Sequence, residues 1–160
     1  MMSRAILISA LVALASPVGA QQAQPFSTFQ HDPTQPLEVF SDTLGVSQAA
    51  NTAVFRGSVE AVQGELTLTA DEMTVTYDEA TGDVVRLVAT GDVFLKSLLE
   101  TAEGQFADYM VAEGTLNMSG DAMLTQGNNA LSSDEMRIDL NTGSGEFIGR
   151  VRTIFVPTSQ

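Results

Sequence analysis

The chain has no cysteine, a single histidine, and only 7 basic residues against 20 acidic ones. Each shortage excludes something. A small exported protein without cysteine has no disulfides to stand in for a core, so it must rely on burial and backbone pairing. His31 alone cannot build a histidine metal site or a Ser-His-Asp triad. So few cations argue against nucleic acid, which needs clustered positive charge, and against attraction to an anionic membrane surface. The sequence contains no G-x-S-x-G, no phosphate-binding loop and no H-E-x-x-H, and no acidic cluster has calcium-loop spacing. Close acid pairs such as Asp71 and Glu72 point apart on a strand, so paired-carboxylate chemistry has no support. The expectation is a protein that is not an enzyme and has no cofactor and no metal.

Long apolar runs are also scarce. The one candidate, Ala5 to Ala15, follows Arg4 and precedes the small residues Val18-Gly19-Ala20. It is too short to span a bilayer and has the layout of a secretory signal, expected to be cleaved after Ala20. Residues 21–36 are polar, carry Pro25, Pro33 and Pro36, and read as a flexible lead-in. The folded domain is expected over 37–156, with 157–160 as a tail. A cleavable signal without cysteine suits a bacterial periplasm.

What is present is period-2 patterning, with no useful helical periodicity after residue 20. Two short motifs alternate. One places a small residue before Asp and Leu or Met two positions later: "SDTL", "ADEM", "ADYM" and "SDEM", with the acids at Asp42, Asp71, Asp108 and Asp134. The other is built on glycine: "FRGSVEA", "ATGDVFL", "MSGDAML" and "FIGRVRT". Turn-forming stretches such as "DEATGD" and "NTGSG" join the arms. The result is about four hairpin repeats, a stack in which each unit buries its apolar face against its neighbours.

The two arms differ in phase. In "LTLTADEMTVTY" the apolar positions change parity, from Leu66, Leu68 and Ala70 to Met73, Val75 and Tyr77. A parity change reverses faces unless the chain bends. A bend at each Asp, with an extra residue as in a β-bulge, would keep both halves facing one interior. Asp42, Asp71, Asp108 and Asp134 are therefore expected as structural bends rather than catalytic groups. The glycine arms keep their parity, with glycine permitting close approach.

Alternating A-D-x-M/L and G-x-V arms after a signal peptide resemble the OstA-like family, over nearly all of the mature chain. The resemblance implies an all-β fold, an open, twisted β-jellyroll of stacked antiparallel V-shaped strands. It also implies transport of lipopolysaccharide across the periplasm, from an inner-membrane complex to an outer-membrane translocon, with no catalytic residues.

An apolar trough for acyl chains would then be lined by Phe55, Val59, Leu66, Leu68, Met73, Val75, Leu87, Val93, Leu95, Met118, Leu124, Met136, Ile138 and Phe147. Period-2 apolar residues equally describe an ordinary filled core. A stack also has two edge strands, which recruit other strands. These fall near Val39, Leu44 and Val46 at one end, and near Phe147, Val151 and Phe155 at the other. By resemblance the N-terminal edge meets the inner-membrane complex and the C-terminal edge the translocon, with head-to-tail self-association as a further expectation. Two alternatives stay open: a membrane-anchored docking subunit of the same fold, and a structural β-solenoid or adhesin module without lipid.

Overall fold

The computed structural model describes residue 29 and residues 34–156. The signal-peptide expectation, the tail and most of the lead-in lie outside the described residues.

Among the described residues, ten strands form one antiparallel sheet. They are β1 (Leu37–Phe40), β2 (Thr43–Ser47), β3 (Thr52–Gln63), β4 (Leu66–Tyr77), β5 (Val84–Lys96), β6 (Glu100–Met110), β7 (Thr115–Gln126), β8 (Asn129–Asp139), β9 (Ser144–Ile148) and β10 (Arg152–Ile154). β3 to β8 pair in sequence order. β1 and β2 both pair with β3, and β9 and β10 both pair with β8. The eight expected arms are therefore all present, but the first and last are each broken in two. Every inner arm is held through its middle by neighbours on both sides; the outer two have a neighbour on one side only.

The sheet is unclosed, and each long strand folds over at its midpoint into two walls. One wall joins β1, the C-terminal half of β3 and the N-terminal half of β4, and continues to β10. The other joins β2, the N-terminal half of β3 and the C-terminal half of β4, and continues to β9. Val59 and Ala70 of the first wall and Met73 and Val75 of the second belong to one buried cluster. The parity change of "LTLTADEMTVTY" thus keeps both halves of β4 facing one interior, with Leu66 and Leu68 packed against that cluster.

The origin of the bend differs from the sequence-based expectation. The extra residue is on the glycine arm. Arg56 pairs with Glu72 and Val59 with Ala70, so Gly57 and Ser58 together oppose Asp71 alone. The same shift recurs at Gly91-Asp92 and Gly120-Asp121. In each pair, and in Gly149-Arg150, both residues have positive φ: 81° and 46°, 79° and 44°, 84° and 55°, 77° and 41°. Two left-handed residues in a row turn the chain sharply, which a glycine in first place tolerates.

The acid of the neighbouring arm then sits where a glycine side chain would be. A methyl group at Gly91 would lie 2.8 Å from Asp71 Cβ, and one at Gly57 would lie 2.9 Å from Asp42 Cβ. Asp134 covers Gly149 in the same way, but the residue over Gly120 is Gln105. Asp108 is therefore not a bend. It lies within the second wall, paired with Val88 and Asn117, and accepts from Arg86 Nε and Nη2 at 2.7 and 2.6 Å. "ADYM" imitates the corner motif three residues too late. What fixes the corner is the glycine opposite, and this is met by Gln105.

Candidate functional site

Between the walls the interior is apolar, and it is not uniformly filled. At the C-terminal half Met118, Leu124, Met136 and Ile138 close it, none more than 4% exposed. Toward the N-terminal half a cavity of about 380 Å³ remains, reaching the open mouth of the V. Leu66, Leu68, Ala61 and Leu95 line it from the first wall. Met73, Leu87, Ala89, Ala107, Tyr109 and Leu116 line it from the second. Val84, Val111 and Leu140, beside the turns, and Gln35, Leu37, Gln63 and Asp83 complete its lining. The size falls within the ordinary range for a ligand pocket, roughly 300–1,000 Å³.

The sequence-predicted trough therefore divides. Leu66, Leu68, Met73, Leu87 and Leu95 line the cavity. Val59, Val75, Val93, Met118, Leu124, Met136 and Ile138 are buried in the closed part of the cluster. Phe55 and Phe147 are half-buried against it, near the two edges of the second wall. Sequence reading missed Ala61, Ala89, Ala107, Tyr109 and Leu116. Ala61 alternates with Val59, Ala89 with Leu87 and Leu116 with Met118, and Ala107 and Tyr109 oppose Ala89 and Leu87 across the ladder, so the alternation could have found them. It also missed Phe29, a lead-in residue that is fully buried in the cluster.

The polar groups near the cavity are few. Gln63 Nε2 donates to the Gln35 carbonyl at 3.0 Å, fixing the lead-in beside the β3–β4 turn. Burial pushes the Tyr109 phenol well above its ordinary range, so it stays neutral. On the first wall Gln126 Nε2 donates to Glu100 Oε1 at 2.6 Å, and Glu100 is itself buried. Arg56, Arg86, Arg137 and Arg150 are on outer faces and engaged with acids. Arg56 meets Glu72 at 2.6 Å, Arg137 meets Glu135 at 3.0 Å, and Arg150 donates to Asp134 at 2.7 Å. Among the described residues no group of three or more acids or histidines is placed to hold a metal ion. What the arrangement can do is hold apolar chain in a dry slot with water at its mouth.

The two ends of the stack present apolar edge residues. At the N-terminal end Val39 packs inward, while Phe40, Leu44 and Val46 are exposed. Leu44 opposes Phe55 and Val46 opposes Ala53, so both share the interior face of the second wall and carry it out to solvent. At the C-terminal end Ile154, Phe155 and Val156 are exposed. Val151, also exposed, falls in the break between β9 and β10 rather than in a ladder.

Residues 38–144 match the family described as LptA/(LptD N-terminal domain) LPS transport protein. An uncharacterised protein of Rhizobium meliloti (strain 1021) is 28% identical over 137 residues, covering 79% of this chain and 74% of its own. The fold is similar to the crystal structure of LptH from Pseudomonas aeruginosa, described as the LptA-homologous periplasmic component of a lipopolysaccharide transport device. The TM-score is 0.73 at 19% identity, over 79% of this chain and 99% of that one.

Proposed function

This chain belongs to the LptA/LptD N-terminal domain family of lipopolysaccharide transport proteins, and on that premise we propose that it is a periplasmic carrier that shields lipopolysaccharide acyl chains between its walls. The observation that carries the reading is the apolar cavity of about 380 Å³ open at the mouth of the V. A buried methylene contributes ~0.8 kcal/mol, so an acyl chain of about 12 carbons offers roughly 10 kcal/mol before ordering costs. That is ample for capture, and an open slot moderates it enough for release. A purely structural stack has no use for an unfilled, solvent-connected slot, which favours the carrier over the solenoid reading.

The sugar and phosphate head stays in water. A formal net charge of −13 disfavours close approach of anionic phosphates, although salt screens much of this. The chain is handed its cargo at one edge and passes it on at the other. The exposed β1–β2 edge meets the inner-membrane complex, and the β10 edge meets the outer-membrane translocon, by strand addition. Head-to-tail copies joined in this way extend one interior face into the next. The test is depletion in the native host. Newly made lipopolysaccharide should accumulate at the inner membrane while its appearance at the cell surface falls. Unchanged delivery to the outer membrane would contradict the carrier reading.

A further inference from the structure

The strands of the first wall meet the second wall at the corners and reverse at their other ends, so the free rim of the first wall is a row of turns. Two of them are Gly64-Glu65 and Gly127-Asn128, small or polar residues of the kind tight turns favour. The third, between β5 and β6, has Leu98 and Leu99 at its tip, 71% and 66% exposed. Apolar side chains held in water at a turn contribute nothing to folding. The turn is nonetheless firmly built. Ser97 N–H donates to the Glu100 carbonyl at 2.9 Å, and Glu100 N–H donates to Ser97 Oγ at 3.2 Å. Both of these residues are buried, so the two leucines stand out from a braced base.

The tip lies beside the cavity. Leu68 pairs with Leu95 and Thr67 with Lys96, so the β5–β6 turn projects next to Gly64-Glu65, about one strand spacing or ~4.8 Å away. Gln63 and Leu66 flank that neighbouring turn, Leu95 precedes the tip, and all three line the cavity. Lys96, the only lysine of the chain, is exposed two positions before Leu98. Among the described residues, Lys96 and Arg152 are the basic side chains that form no ion pair. An uncommitted cation beside two uncovered leucines complements an anionic amphiphile, in a chain whose formal net charge of −13 elsewhere opposes one.

We propose that the β5–β6 tip is a second contact for the cargo: Leu98 and Leu99 cover acyl chain that the cavity does not hold, and the Lys96 ammonium meets a phosphate of the head group. This rests on the carrier reading. A methylene is about as large as a water molecule, which takes up roughly 30 Å³ in the liquid. The cavity of about 380 Å³ is therefore filled by one chain of about 12 carbons. A cargo with more than one chain leaves apolar surface at the mouth, where the leucines stand. A phosphate on Lys96 remains at the rim, in water, where salt screens the acids around it.

All three side chains are exposed, so their substitution leaves the fold intact, which denaturant unfolding checks. Leu98→Ser with Leu99→Ser should weaken binding of purified lipopolysaccharide ten-fold or more. Dodecanoate, whose single chain the cavity holds, should bind the double variant and the wild type alike. Lys96→Gln should weaken lipopolysaccharide binding several-fold at low salt, and that loss should vanish for lipopolysaccharide stripped of its lipid phosphates. Wild-type affinity in the leucine variant, or a loss that dodecanoate shares, overturns the acyl contact. Wild-type affinity in Lys96→Gln, or a loss that persists without the phosphates, overturns the phosphate contact. Each of these leaves the carrier standing, whereas failure of the wild-type protein to bind lipopolysaccharide overturns carrier and tip together.

Discussion

At each corner the chain places a glycine and then a second residue in the left-handed region, and an acid or amide from the preceding arm rests against the glycine. The two positions differ in what they tolerate. Gly91 has φ +79° and no room, since a methyl would meet the Asp71 side chain. Gly91→Ala should therefore lower stability by about 2 kcal/mol or more, combining clash with left-handed strain. Ser58, at φ +46°, has already met the strain. Ser58→Gly should stay within about 0.5 kcal/mol of wild type, relief of strain offsetting added chain entropy. Denaturant unfolding of the two variants checks this, and equal losses would contradict the corner geometry. At this scale the sequence was partly legible. The recurrence of glycine was visible in sequence, but the bend was expected on the Asp arms, whereas the extra residue lies on the glycine arms, where a left-handed residue restricts what can stand. Asp108 misled because its local string matches the motif, whereas Gln105 earns the position only through its cross-strand partner, Gly120.

The strands and their turns were the more legible level. Alternation marks arms, and two turns even share one mechanism. Asp78 accepts from the N–H groups of Ala80 and Thr81, both at 2.9 Å, and Asp139 from those of Asn141 and Thr142 at 2.9 and 3.1 Å. Gly82 and Gly143 close the turns by donating to the carbonyls of Asp78 and Asp139, each at 2.8–2.9 Å. These bonds, from Thr81 and Thr142 foremost, lower both carboxyl pKa values. A folded pKa below the unfolded one means the stabilisation is present above the ordinary value near 3.8 and is lost as pH falls through the lower folded value. Asp78→Asn with Asp139→Asn keeps an acceptor oxygen and removes the titration. The double variant should show a shallower loss of stability below about pH 4 with little change at pH 7. An unchanged acid limb would contradict it. What alternation could not reveal was the break in each outer arm, since continuity there depends on neighbours in space and not on the arm's own residues.

For the whole molecule, the apolar phase identified the interior but not its occupancy. Met118 and Met136 read the same as Met73 in sequence, yet the first two close a core and the third lines a cavity. The difference arises from how the walls converge and from alanines whose small size leaves space. Phe29 was invisible for another reason: a proline-rich, polar lead-in shows no periodicity from which burial can be inferred. Fold and family are nonetheless consistent at every level, from the left-handed corners to the two unpaired ends. The central claim is that acyl chains enter between the walls. A photo-crosslinking residue at Leu66 or Leu87, facing the cavity, should yield lipopolysaccharide adducts in living cells, while the same residue at Glu60 or Thr90, exposed on the outer faces, should not. Equal yields from both sets, or none from Leu66 and Leu87, would contradict the account.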